Sequence, residues 1–283
     1  MATGTKTANV MDIPLSVSSV VAPYLGDNGY KMEGADNIRV LSVANGTLGN
    51  YNEGSATAPF GADPTLVAPA EQVLTLDYNK SMWLRIQKSQ IQDIPISQFA
   101  KQVALQQADQ VFVPAHDAYS IAKILAARPA GNKVEFGIGD NIKLAFGRTL
   151  DKARTGGAAL ASSIAWVAYD FATQLSDAIN FTGSDQGYTD GKNGFLGKFK
   201  GCKIVEAPDA YMGAGVYVIV TDKRAVVNVT PKMDPKNGEG ITIIDKVPGF
   251  SGIEIQLRDR SGTFVLNKKV SAVASLEAEA AGL

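Results

Sequence analysis

The chain has one cysteine and one histidine in 283 residues. Cys202 therefore closes no intramolecular disulfide, and His116 has no second imidazole with which to share a metal. Disulfide scaffolds, zinc fingers and paired-histidine zinc proteases are set aside. Charge is also scarce: Asp, Glu, Lys and Arg together make up 19%, against roughly 25% in an average globular chain. The 27 basic and 28 acidic side chains leave a net charge of -1, so no global field draws the molecule to nucleic acid or to an anionic membrane. Long apolar runs are missing too. Stretches such as Val216 to Val220 fall far short of the roughly 20 residues that span a bilayer. Near the N-terminus, Pro14 and several serines interrupt the apolar residues, which predicts that this stretch stays in the mature chain rather than acting as a signal peptide.

What is present is apolar material, 45% of the chain, enough for one large or two small domains with a real core. Residues 1 to 37 mix Thr, Ser, Gly, Asn and Val without a period and read as an extended arm. Ile38, Val40, Leu41 and Val43 then form a short or irregular strand ending at the turn signal Asn45-Gly46. Residues 50 to 71, rich in Gly, Pro and Ala, read as a long loop of the functional kind. Next, Leu74, Leu76, Tyr78, Met82, Leu84 and Ile86 share one parity, which predicts a strand of about 15 residues and, with its predecessor, a projecting hairpin. Ser97 is placed to cap a helix over 97–127, with Pro114 kinking it. A second helix is expected from about Asn141 to Ala153, capped by Asp140. Ser163 to Tyr169 reads as a buried strand and Asp170 to Ile179 as a short helix, with a glycine-rich loop over 183–201. The last third reads as strands at 203–206, 216–221, 241–244, 253–258 and 264–270. Glu277 and Glu279 fall in an alanine-rich, solvated tail.

Motifs that would carry chemistry are weak. Gly187 to Asn193 has neither the spacing nor the preceding strand of a phosphate-binding loop, and Phe136 to Asp140 lacks the third glycine of a dinucleotide site. His116-Asp117 has no nucleophile elbow beside it, and reads as a helix-face pair. Cys202, leading into a strand, reads as a small buried residue rather than a reactive thiol. The three Asn-X-Thr triplets, at Asn45, Asn180 and Asn228, are expected to stay unmodified. The residues therefore point to no catalytic group, no cofactor and no metal.

Three stretches carry a resemblance: Asp77 to Ile86 leading through Gln90 to Ile94 into the helix, Gly194 to Pro208, and Pro248 to Gly252 followed by Arg258 and Gly262 to Val265. In their order over about residues 38 to 270, the chain resembles the major capsid proteins of tailed bacteriophages. That resemblance implies an α+β chain with the tailed-phage capsid (Johnson) fold. It assigns an N-terminal arm to 1–37, an extended loop to 38–92, and a long spine helix with the first part of a peripheral domain to 93–156. The axial domain takes 157–229, and peripheral return strands with a tail take 230–283, the helix near 141–155 counting with the peripheral part.

The implied function is that of a structural protein of the virion, which self-assembles through hexamers and pentamers into an icosahedral capsid around double-stranded DNA. Assembly would take place in the host cytoplasm, with scaffolding, portal or decoration proteins as further partners and no membrane. Such a subunit works by many weak symmetric contacts rather than by an active site. Tyr51, Phe60, Leu66, Val67, Trp83 and Arg85 are the expected inter-subunit contacts. Some members of the family weld neighbours through a loop lysine; here no lysine lies between Lys31 and Lys80, which predicts a shell held without covalent links. An encapsulin-like compartment enclosing protein is the alternative. A tail or decoration protein fits less well because of the helix over 97–127.

Overall fold

The computed structural model describes residues 18–30, 37–43, 50–55, 60, 68–88, 96–179, 194–229, 240–245 and 247–279. The chain divides into two compact units, Met32–Thr75 and the remainder, Met1–Lys31 with Leu76–Leu283.

The smaller unit is a β-hairpin. Strands β1 (Asn37–Val43) and β2 (Pro69–Thr75) pair antiparallel, from Asn37 opposite Thr75 to Val43 opposite Pro69. Successive side chains point to opposite faces, and the two faces differ. Val40 and Leu74 are buried, whereas Leu41, Val43 and Val73 stand exposed. Asn45-Gly46 lies outside the described residues.

The larger unit holds two sheets. Six strands run in the order β4 (Lys133–Phe136), β12 (Ala274–Ala278), β8 (Val216–Asp222), β5 (Ser163–Ala168), β7 (Cys202–Ala207) and β6 (Phe195–Phe199). β5 is buried at every residue, as a continuous apolar run covered on both faces should be. Trp166 of β5 and Phe146 and Leu150 of helix α3 (Ile142–Thr155) belong to the larger core, as does Phe171 of α4 (Tyr169–Ala178). The second sheet runs β10 (Ile241–Ile244), β11 (Gly252–Val265) and β3 (Tyr78–Gln87), with β9 (Val226–Val229) paired to the far end of β11. Its Ile86, Ile253, Ile255 and Leu257 share a smaller core with Ala100, Ala104 and Phe112.

Those last residues lie on the long helix. It runs as α1 (Ile96–Gln107), a π-helical stretch over Ala108–Phe112, and α2 (Val113–Ala126). Pro114 falls in the first turn of α2, directly after the π-helical stretch. The wider π turn, closed by the Val113 N–H on the Ala108 carbonyl, absorbs the irregularity. Ser97, expected as the cap, is the second helical residue.

Several expectations are corrected. The 15-residue strand is two strands, β2 and β3, in different sheets, with Leu76 and Asp77 between them. The strands at 253–258 and 264–270 are a single strand, β11, followed by a 3-10 turn at Asn267–Ala272. The loop over 183–201 contains β6. The cap of α3 is Asn141, whose Oδ1 accepts from the Leu144 N–H at 3.0 Å; Asp140 instead accepts from Gly137 N. The alanine-rich tail is β12, and its Glu277 pairs with Arg128 at 2.8 Å and Lys133 at 3.7 Å. Helix α3 lies on the six-stranded sheet against β12, β4 and β8, its apolar face of Ala145, Phe146, Leu150 and Ala153 covering that sheet; this packing does not bear on its assignment with the return strands, of which β12 is one.

The arm also packs. Val20, Val21 and Leu25 are buried in the larger core, and Trp166 Nε1 donates to the Val20 carbonyl at 2.9 Å.

Candidate functional site

The sequence-predicted contact residues fall into two pairs. In the hairpin unit, Tyr51 and Phe60 meet edge to face with ring centroids 5.1 Å apart, and are 59% and 86% exposed. Leu66 and Val67 lie outside the described residues. In the larger unit, Trp83 and Arg85 come from β3. Because Met82, Leu84 and Ile86 face the helix, Trp83 and Arg85 face away from it.

There the guanidinium of Arg85 stacks 4.7 Å above the Trp83 ring and 5.5 Å from Phe250, a cation–π arrangement. Its Nε also donates to Glu254 at 3.2 Å, and Gln256 Nε2 donates to the same carboxylate at 2.7 Å. Desolvation acts to raise the Glu254 carboxyl, but hydrogen bonds from Gln256, Arg85 and Trp83 outweigh it and hold the group below its usual range. Trp83 remains 62% exposed. Exposed tryptophan and arginine are the side chains most enriched among the energetic centres of protein interfaces. Sequence reasoning missed Phe250 and Glu254, which β11 brings beside β3. It also missed the outward Leu41, Val43 and Val73, since both faces of β1 carry apolar residues.

The other candidate residues are structural in their surroundings. Burial pushes His116 down to about 4, and its ring packs among Tyr78 and Tyr119. Asp117 accepts from Ser19 Oγ and from the Val20 N–H, both at 2.7 Å. Desolvation nonetheless lifts its carboxyl to about 6. Ser19 in turn accepts from Val21 N and Ala22 N, so the three polar groups fasten the arm to the helix. Cys202 is buried, and burial pushes its thiol up to about 12. Among the described residues no cluster of three His, Cys, Asp or Glu side chains is arranged to hold a metal, and no helix is long and apolar enough to cross a membrane.

No protein-family model matches the chain, and no curated protein does. Solved structures do match over nearly its whole length. A chain from Mycobacterium phage Bobi aligns with a TM-score of 0.69 at 14% identity, covering 98% of this chain and 96% of that one. The capsid structure of cyanophage P-SCSP1u gives 0.67 at 12% identity, covering 98% and 92%. The mature capsid of bacteriophage PhiM1 gives 0.63 at 13%, again covering 98% and 92%. A virus-like particle from Pyrococcus furiosus also matches, at 0.50 and 12% identity over 86% of each chain. With matches of this extent, the chain has the α+β fold of the phage capsid structures, the Johnson fold.

Proposed function

We propose that this chain is the major capsid protein of a tailed bacteriophage, self-assembling into an icosahedral shell that encloses double-stranded DNA. The observation that carries the reading is the match of 98% of the chain to subunits of two phage capsids. Exposed apolar groups support it: Leu41, Val43, Val73, Phe60 and Trp83 lie more than half in solvent, a cost that burial against neighbouring copies would recover at about 25 cal/mol per Å². Hexamers and pentamers are the closed rings such a shell needs, with scaffolding, portal and decoration proteins as further partners. The site of action is the virion, after assembly in the host cytoplasm. The role needs no catalytic group; contacts repeated by symmetry supply the stability.

The encapsulin-like reading rests on the match to the archaeal virus-like particle, which covers less of the chain. The content of the shell separates the two. Particles isolated from infected cells should protect double-stranded DNA from nuclease; particles that contain a single cargo protein and no nucleic acid would favour the compartment.

A further inference from the structure

The six-stranded sheet has two ends of opposite charge. Its register fixes which residues share an end. Ser163 lies opposite Asp222, Ile164 beside Lys203, and Ser275 beside Lys133, so β5, β7, β12 and β4 all start where β8 finishes. At that end the turn from β6 to β7 carries Lys200, and Lys203 follows on β7. Lys223 follows β8, Lys268 and Lys269 precede β12, and the last turn of α3 adds Lys152 and Arg154. All seven are exposed. Asp151 and the buried Asp222 lie among them, Asp222 tied to Arg224 by contacts of 3.0 and 2.6 Å. A cleft of about 320 Å³ opens among Arg224, Lys268 and Lys269.

The opposite end is acidic. Asp140 follows β4, Glu279 follows β12, Asp170 opens α4 after β5, and Glu206 and Asp209 close β7, with Lys143 the counter-charge on α3. Asp140, Asp170, Asp209 and Glu279 are exposed. Tyr169 stands among them, 48% exposed. Burial, and then the charges of Glu206 and Asp209, push its phenol up.

We propose that the basic end of this sheet docks on the acidic end of the same sheet in a second copy of the chain, with Tyr169 beside the cleft of its neighbour. The two ends differ, so the contact is head to tail and repeats until a rotation closes it into a ring. Complementary potentials of this kind steer encounter and fix register more than they add affinity, and salt weakens them. The basic end alone would also suit phosphate. The matching acidic end on the same sheet and the net charge of -1 favour another copy of the chain over nucleic acid. The inference rests on the shell reading only for the ring's place in a larger particle.

Two variants test it. Lys223→Glu with Lys268→Glu strips the basic end of most of its surplus charge, and Asp170→Lys with Asp209→Lys neutralises the acidic end. These sites are exposed, and far-UV circular dichroism and the urea midpoint establish that each variant is folded; Lys223→Ala with Lys268→Ala serves as a milder form. Sedimentation at low salt should show the concentration needed for rings or shells raised at least about tenfold for either charge-reversed protein alone. An equimolar mixture should co-assemble near the wild-type threshold, because the new glutamates of one variant then face the new lysines of the other while its unaltered acidic end faces an unaltered basic end. Folded single variants that assemble as wild type does would overturn the proposal, as would a mixture no better than its components. A basic-end variant that assembles normally but retains less DNA would also overturn it, assigning that end to nucleic acid. Wild-type rings that never grow into shells would leave the docking contact standing and sink the shell reading; shells indifferent to all reversals would do the reverse.

Discussion

His116 shows how one residue type can be rare and yet unrelated to chemistry. Its imidazole is 5% exposed among Tyr78 and Tyr119, and its Nε2 has no hydrogen-bond partner, so the charged form is penalised and the group falls to about 4. The unfolded chain, with an ordinary value of about 6.5, takes up the proton first. Stability attached to His116 is therefore whole above about pH 6.5 and is lost as pH falls toward 4. Asp117 and Asp259, both raised to about 6 by desolvation, act oppositely, since the folded state holds their protons more tightly and loses stability as pH rises through that range. Both remain in His116→Gln, so comparison with wild type isolates the histidine. Urea unfolding of unassembled protein should show the variant gaining about 2 kcal/mol on wild type between pH 7 and pH 5. An unchanged difference would place the imidazole in contact with water. Assembly of the variant at pH 7 should match wild type.

At the scale of elements, close backbone approaches decide what the sequence can tolerate. Gly156 ends α3 against the 3-10 turn, where an added Cβ would lie 1.7 Å from the Ser271 carbonyl oxygen. Gly252 opens β11 where a Cβ would lie 2.1 Å from the Ile86 carbonyl oxygen of β3. Gly156→Ala and Gly252→Ala should each cost about 1–3 kcal/mol, read as a lowered urea midpoint with the slope unchanged. The same glycines explain part of what the sequence conceals. Gly262 reads as a strand breaker, yet it sits inside β11 because the Phe264 ring covers the place of its side chain, 2.5 Å from an added Cβ. The alternation from Leu74 to Ile86 was legible because every second residue faces inward, but the same parity runs straight through Leu76-Asp77 and hides the change of sheet. β12 was illegible for another reason: Arg128 and Lys133, which neutralise its Glu277, lie far away in sequence. The exposed aromatics of the candidate contact surface were readable from the residues; the partners beside them, Phe250 and Glu254, depend on the pairing of β3 with β11.

For the whole molecule the division into two units sets the expectations. The hairpin tip has few large apolar anchors, and Tyr51 and Phe60 are mostly exposed. Replacing residues 50–68 with a short turn should leave a cooperatively folding subunit that fails to close shells; loss of the folded state would show that the tip belongs to the core. The lysine-free stretch from residue 32 to 79 implies particles held by burial and strand pairing rather than covalent links. After boiling in denaturing detergent they should run as one band near 29.8 kDa, whereas a ladder of multimers that survives reducing agent would point to a cross-link, with Lys80 the first residue to replace. The most direct test of the account is negative-stain electron microscopy of the purified chain, alone and with a scaffolding protein. Closed shells or capsomer-like rings are the predicted result, and a monodisperse monomer at micromolar concentration in every salt and pH tried would contradict it.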